Sequence, residues 1–364
     1  MKICIISPEI YPYTAGIGNV VMDLSTELAK DNTITIIAPN HTKSACFERK
    51  DGVDIIRINY IKTKSKILNK LQFIIKSLHY IKQNLQDYDV FFGNQLFPES
   101  LIAVLAARKF SKKSVIEAHG SDADIHAHKP ILSKIIKTTI KNADLLLVLN
   151  EKHKNQFKDV AKKTVKVNNG ILLNKLPSKT QLKKKLKLNS FSIVFAGNIC
   201  ENKGVIYAIK SVENLSFCEL YIIGRDRSNS GYELKLRDYV KQHKIKNIHF
   251  LGEVSRNKTI EYIKAADIFL LPTFRESFGM VLVESMLNKT PIITTDVDDI
   301  KKTTGNLAHY VKPQNSDQIT TQIQKIYTNK SDAINCAKNA EVFAHKKYAI
   351  NNVADSFRQI FKKL

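Results

Sequence analysis

Long hydrophobic runs are missing from this 364-residue chain: none approaches the roughly 18 residues that a membrane-spanning helix needs. The opening stretch MKICIISPEIYPY has neither the extended apolar core nor the small-residue cleavage site of a secretory signal. The five cysteines, Cys4, Cys46, Cys200, Cys218 and Cys336, are far apart, odd in number and without C-x-x-C spacing. That argues against a disulfide framework or a cysteine zinc site and for a reducing compartment, so the expected location is the cytoplasm. Acidic residues are short: 34 Asp and Glu face 57 Lys and Arg, a formal net charge of +23. The imbalance is uneven, 32 basic against 16 acidic residues in 1–187 (+16) and 25 against 18 in 188–364 (+7). Such an excess suits nucleic acid, an anionic membrane surface or phosphate-bearing substrates, and a lysine-rich composition produces it equally without any partner.

What is present is a globular composition, 43% hydrophobic and 25% charged, in a chain long enough for two domains. Strand-like pieces KICIIS, TITIIAP, VDIIRIN, DVFFGN, SVIEAHG, DLLLVLN and TVKVNNG alternate with amphipathic stretches such as NVVMDLSTELAK and ESLIAVLAARKF. After the basic, Pro-containing LLNKLPSKTQLKKKLKLNS the alternation restarts with SIVFAG, CELYIIG, NIHFLG, DIFLLP, PIITTD and AHYVKP. This order demands an α/β fold with parallel sheets covered by helices. The expected architecture is two Rossmann-like domains facing a central cleft: residues 1–172, a linker at 173–190, a second domain at 191–345, and a C-terminal helix at 346–364 that packs back across the domains.

In TFRESFGMVLVES, Glu276 stands at the tip of a buried strand and Glu284 two turns into a buried helix. Carboxylates in such places cost several kcal/mol without a partner, which points to a polar ligand. Ser277, Phe278 and Gly279 bring backbone N–H groups to the helix start, a ready anion site. Glu276 beside them suits sugar hydroxyls, and Glu284 suits a vicinal diol such as ribose offers. In FAGNICENKG, Lys203 precedes a helix start, where a cation is unfavourable unless an anion lies between. Gly16-x-Gly18 opens a helix after the first strand and suits close anion approach, although Val21 and the missing ribose-binding acid break a dinucleotide fingerprint. EAHGSDADIHAH gathers His119, Asp122, Asp124, His126 and His128 without a zinc spacing, so a His119 donating to a sugar hydroxyl or phosphate is more economical than a metal site.

Taken in order, TAGIG, AHGSD, VNNG, FAGNICENKG, LYIIG, IHFLGEV, LPTFRESFGMVLVESM and KTPIITTD resemble the retaining glycosyltransferases of family 4, which have the GT-B fold, and the resemblance spans nearly the whole chain. It implies transfer of a sugar from a UDP- or GDP-sugar to the hydroxyl of a glycan or lipid-linked acceptor in cell-envelope assembly, with no cofactor and no metal. Lys203 with the Phe278 and Gly279 amides would hold the diphosphate, Glu284 the ribose and Glu276 the donor sugar, with His119 where donor meets acceptor. This chain departs from the pattern at four places: Ala15-Gly16 stands for a double glycine, Asn198 replaces the arginine after the glycine of the first C-terminal strand, Lys289 a glycine before T-P, and Asp298-Asp299 a glycine pair. Arg225, Arg227 or Arg275 are the candidates to restore the missing charge.

Two rivals use the same features differently. A GT-B epimerase or phosphorylase would use a similar site. A nucleic-acid-binding protein would explain the charge, but no aromatic-rich basic strand or known nucleic-acid module is present, and no nucleic-acid partner is expected. Finally, residues 57–82 hold seven Lys or Arg and no acid. There Ile67, Leu71, Ile74, Leu78 and Ile81 form one helical stripe suited to packing on a sheet, while Phe73 and Tyr80 fall among Lys66 and Lys76. The pattern suggests peripheral docking of the N-terminal domain on the inner face of the cell membrane, through those two aromatics.

Overall fold

The structure is a computed structural model and describes residues 1–12, 16–124, 130–172, 175–188, 191–276 and 278–364. The chain forms two units, Met1–Leu172 with Tyr348–Leu364, and Leu173–Lys347.

Among the described residues of the first unit, eight strands make one sheet: β1 Lys2–Ile6, β2 Thr33–Pro39, β3 Phe47–Lys50, β4 Val53–Ile58, β5 Val90–Asn94, β6 Lys113–Ala118, β7 Leu145–Val148 and β8 Thr164–Lys166. Their order is β3-β4-β2-β1-β5-β6-β7-β8. All pairs are parallel except β3 with β4. That edge strand, FERK, carries no apolar alternation, so nothing in its sequence announces it. The central strands are buried on both faces, as continuous apolar runs require. On one face Ile3, Ile5, Ile34, Ile36 and Phe92 meet the helices Gly16–Leu28 and Ile350–Lys362. On the other, Cys4, Ile6, Ile37, Ile56 and Phe91 meet the helices Lys66–Asn84 and Glu99–Phe110.

The helix Lys66–Asn84 corrects the expectation for its faces. Phe73 is buried in that second core and Tyr80 packs against it, so neither is offered to a membrane. Ile81 is buried and Ile74 and Leu78 are partly buried, but Ile67 and Leu71 of the same proposed stripe are exposed. The physical reason is that apolar residues occupy two sides of the helix, an aliphatic one and the Phe73–Tyr80 one. Two stripes fit the 3.6-residue period, and the one with the larger aromatic volume faces the sheet.

In the second unit, six described strands, β9 Phe191–Ala196, β10 Cys218–Ile223, β11 Ile248–Gly252, β12 Ile268–Leu271, β13 Ile292–Thr295 and β14 His309–Val311, pair in parallel in the order β11-β10-β9-β12-β13-β14. Within the stretch expected as a linker, residues 179–186 are a helix, Lys179–Leu186, opened by a Ser178–Gln181 capping box. Its Leu182 is fully buried and its Lys183 pairs with Asp267, so it is a packed part of the second unit. No helix among the described residues is long and apolar enough to cross a membrane.

Candidate active site

In both sheets the strand order reverses at one point, between β1 and β5 and between β9 and β12. The loops leaving those strands diverge, which opens a crevice at their carboxyl ends where α/β proteins bind ligands. The residues singled out in the sequence gather at these two places.

At the second unit's switch point, the turn after β9 carries Lys203 in a short 3₁₀ segment capped by Gly204. Gly204 sits at φ +65°, and a Cβ there would lie 2.0 Å from the Pro272 carbonyl oxygen, so only glycine allows the turns after β9 and β12 to touch. The contact is stitched by the Phe274 N–H donating to the Asn202 carbonyl at 2.7 Å and by the buried Thr273 hydroxyl donating to the Asn202 and Arg275 carbonyls. Held this way, Lys203 Nζ donates to Glu276 Oε2 at 2.6 Å. The anion that a lysine before a helix calls for is thus, in this structure, the glutamate of the neighbouring strand tip. Gly279, at φ +79°, caps the helix Met280–Leu287, and a Cβ on it would reach within 3.3 Å of Glu276 Cγ. The Glu276 side chain therefore lies against the helix start. Phe278 is buried beside it, and Ser277 lies outside the described residues.

Glu284 is buried one helix face further in and receives Arg256 Nε at 3.2 Å. Arg256 opens the helix Arg256–Ala265 behind the N-cap Ser255. A buried carboxylate with a guanidinium beside it is stable, whereas either partner alone would not be. No local pattern announces this pairing, because the two residues are 28 positions apart on separate helices.

The departures from the family pattern acquire physical content here. Asp298 sits at φ +47° and Lys289 at φ +57°, the left-handed region a glycine enters freely. Asp298 uses its carboxylate to accept the Glu276 N–H at 2.8 Å, which fixes the backbone of the strand tip, and Lys289 pairs with Glu341 at 3.0 Å. Asp299 pairs with Lys302. Asn198 Oδ1 accepts the Arg227 N–H at 3.1 Å. Arg225 and Arg227 are both held by Glu253, while Arg275 is exposed beside Glu276.

In the first unit, His119 follows β6 and is buried, with Nε2 3.6 Å from Glu117 Oε2. Glu117 in turn accepts from Asn94 Nδ2 at 2.6 Å, across the β5–β6 pair. Burial lowers the pKa of the His119 imidazole, but Glu117, with Asp122 and Glu9 beyond it, more than reverses this, so the ring keeps its proton above the usual histidine range. Asp122 accepts the Leu96 N–H at 2.9 Å, and burial raises its carboxyl. Glu99, buried at the start of the next helix, is pushed up to about 8. Gly16 and Gly18 lie in the first turn of the helix Gly16–Leu28, and the Gly18 N–H donates to Glu9 Oε1 at 3.0 Å. Glu9 thus holds the anion position foreseen for a phosphate. His126 and His128 lie outside the described residues. Glu117, Asn94, Glu9 and Arg256 are additions to the site that the sequence did not single out, and Asp298, noted there as a departure, gains its role from the Glu276 N–H.

Two α/β units, each with charged and glycine-bearing loops at the carboxyl ends of parallel strands, are the parts of a GT-B fold. The Glycosyltransferase Family 4 model matches residues 14–175, and the Glycosyl transferases group 1 model matches residues 178–343. An uncharacterized glycosyltransferase of Methanocaldococcus jannaschii is 22% identical over 99% of this chain and 98% of its own. A phosphatidyl-myo-inositol mannosyltransferase of Mycobacterium leprae is 27% identical over 48% of this chain and 47% of its own. Among solved structures, sucrose-phosphate synthase from Thermosynechococcus elongatus superposes with a TM-score of 0.85 at 18% identity over 99% of this chain and 98% of its own. Anabaena HepE in complex with UDP and glucose superposes with a TM-score of 0.81 at 14% identity over 100% of both chains. The chain belongs to the GT-B glycosyltransferases of the family 4 type.

Proposed function

We propose that the enzyme moves a sugar from a UDP- or GDP-sugar to a hydroxyl of a glycan or lipid-linked glycan in cell-envelope assembly, with retention of anomeric configuration and without a divalent metal. One observation carries this proposal: the Lys203–Glu276 pair lies against the Gly279 helix start, at the switch point of the second unit's sheet. The pair is built for exchange. A donor diphosphate is a stronger partner for Lys203 than a single carboxylate, and once displaced, Glu276 is placed to accept hydrogen bonds from the donor sugar. Departure of the diphosphate is the demanding step, and its growing charge is met by Lys203 and the helix N-terminus, donors already fixed by the Gly204 and Gly279 turns. Glu284 accepts the ribose diol, with Arg256 compensating its buried charge. His119, whose proton Glu117 helps to hold, donates to a substrate hydroxyl. Support for the nucleotide sugar comes from the HepE complex with UDP and glucose, and support for a lipid acceptor from the mannosyltransferase named for phosphatidyl-myo-inositol. The enzyme would work in the cytoplasm, at the inner face of the cell membrane.

A donor-hydrolysis panel tests this. At least one UDP- or GDP-sugar should be slowly hydrolysed, at a rate unchanged by EDTA. If none is hydrolysed and neither UDP nor GDP raises the melting temperature, the nucleotide-sugar assignment is wrong. Loss of activity in EDTA with recovery in manganese would overturn the metal-independent clause alone.

A further inference from the structure

At the carboxyl ends of β2 and β4 the first unit has a cavity of about 390 Å³ to which the reaction proposed above gives no role. Asn40, His41, Lys43 and Ser44, in the turn after β2, line one side of it, and Asn59, Tyr60 and Lys62, after β4, line the other. Among these residues there is no carboxylate and no aliphatic side chain. Neither Lys43 nor Lys62 has an ion-pair partner among the described residues. The volume falls within the range of small-molecule sites, roughly 300–1,000 Å³, and far exceeds that of a lone phosphate.

Three amide side chains fix the backbone that carries the two lysines. Lys43 stands at φ +56°, a left-handed conformation that a lysine rarely adopts. Asn40 closes the turn around it: its Nδ2 donates to the Ser44 carbonyl at 2.7 Å, and its Oδ1 accepts the Ser44 N–H at 3.1 Å. Lys62 is clamped from both sides, because Gln72 binds the N–H and the carbonyl of Ile61 and Asn69 binds the same two groups of Thr63. His41 Nε2 donates to the Pro8 carbonyl at 3.2 Å, which ties the cavity wall to the loop after β1 that carries Glu9. The ordering cost of this wall is met within the fold, so an entering anion finds its cations on a fixed backbone.

We propose that this cavity binds a phosphate carried by the acceptor, so that the enzyme extends a phosphorylated glycan. The cations are lysines, point charges that suit a phosphate, and the guanidinium fork that grips a carboxylate in two places is absent from the lining. The lack of aliphatic lining makes a sugar, rather than a hydrocarbon, the body that carries the phosphate. The strand order sets its size. β2 and β6 are three strands apart, roughly 15 Å at the ordinary inter-strand spacing, and His119 follows β6. That span is too long for the phosphate and the reacting hydroxyl of a single sugar residue, so the acceptor has at least two. The inference rests on the proposed function for the transfer itself and adds the chemistry of the acceptor.

Calorimetry on the full chain tests it with glucose 1-phosphate, glucose, glucuronate and inorganic phosphate. Glucose 1-phosphate should bind, weaken with salt, and lose roughly tenfold in affinity in Lys43→Gln with Lys62→Gln; glucose should give no signal. Lys203→Gln, which removes the cation of the second unit's site, should leave that affinity unchanged. Lys43→Gly fits the left-handed turn better, so its melting temperature should be no lower than wild type while its affinity falls; a lower melting temperature with full affinity would give Lys43 a structural role only. Affinity unchanged in the Lys43/Lys62 variant, or lost only in Lys203→Gln, would overturn the site. Inorganic phosphate binding as tightly as glucose 1-phosphate would make the cavity a soluble-anion site, and tighter binding of glucuronate would assign it to a carboxylate. The rise in melting temperature with UDP or GDP should be the same in wild type and the Lys43/Lys62 variant, so failure of this assignment and failure of the nucleotide-sugar assignment are told apart.

Discussion

Each glutamate at the two strand-end sites has a different kind of partner, and the difference predicts how each should fail. Glu276 holds Lys203, a contact that a bound diphosphate would replace, so its carboxylate is free to act only when donor is present. Glu276→Ala should therefore lower kcat by the larger factor. Glu284 is paired with Arg256 and is assigned the ribose, a contact made before and during reaction, so Glu284→Ala should chiefly raise KM for donor. Arg256→Ala should copy the Glu284 defect, because it leaves that carboxylate buried without its counter-charge. Steady-state kinetics on the folded variants decides the matter, and equal losses in kcat and KM at all three positions would break the assignment. Glu117 acts at one remove, through His119. Its carboxylate raises the imidazole pKa, so the protonated ring persists to higher pH, and any activity that needs that proton is lost as pH climbs through the raised value. Glu117→Gln removes the charge but keeps an acceptor for Asn94. The alkaline limb of the kcat profile should then move to lower pH. A profile shifted upward, or not at all, would show that His119 does not carry the working proton.

At the scale of elements, the strands of both sheets were legible because each is a short apolar run bounded by Gly, Pro, Asn or Asp, the mark of a strand buried on both faces. The edge strand Phe47–Lys50 was not, since its FERK sequence has nothing to bury. The helix Lys179–Leu186 could have been found from Ser178 and Gln181, which stand at capping-box spacing ahead of Leu182, but its run of lysines masks the apolar period. In the site, Lys203, Glu276 and Gly279 were legible from the cost of putting such residues at helix starts and strand tips. The pairings of Arg256 with Glu284, of Asn94 with Glu117 and of Asp298 with the Glu276 N–H were not, because cross-element pairing leaves no local pattern. The helix Lys66–Asn84 shows the limit most plainly: with apolar residues on two sides, periodicity alone cannot choose the buried face. The structure's choice can be measured. Phe73→Ala should cost about 3–5 kcal/mol by urea unfolding, and Leu71→Ser, on the exposed side, should stay within about 0.5 kcal/mol. The reverse ranking would restore the face expected from the sequence.

For the whole molecule, the first unit is completed by the chain's own end. Ile350, Val353, Ala354, Phe357 and Phe361 of the last helix are buried in its core, and the rings of Phe357 and Phe361 stand 6.2 and 6.3 Å from Phe92 on β5. Arg358 grips Asp31 through two nitrogens and reaches the Glu27 carbonyl, 327 and 331 residues away in sequence. Gly170 marks how closely the helix is seated, because a Cβ there would lie 2.6 Å from Ile350 Cδ1. The sheet that carries Glu117 and His119 is therefore held by a segment distant in sequence, and contacts of such separation carry a high loop-closure cost in folding. Truncating one of the buried rings should loosen that unit and leave the other intact. Phe357→Ala is expected to cost about 3–5 kcal/mol, and hydrogen exchange should accelerate in β1, β2 and β5, which share its core. Strands β9, β12 and β13 should keep wild-type protection, as should the melting response to UDP or GDP, since Lys203, Glu276 and Glu284 all belong to the second unit. Acceleration spread evenly over both sheets would mean that the two units unfold as one, and that the last helix stabilises the molecule rather than the unit it fills.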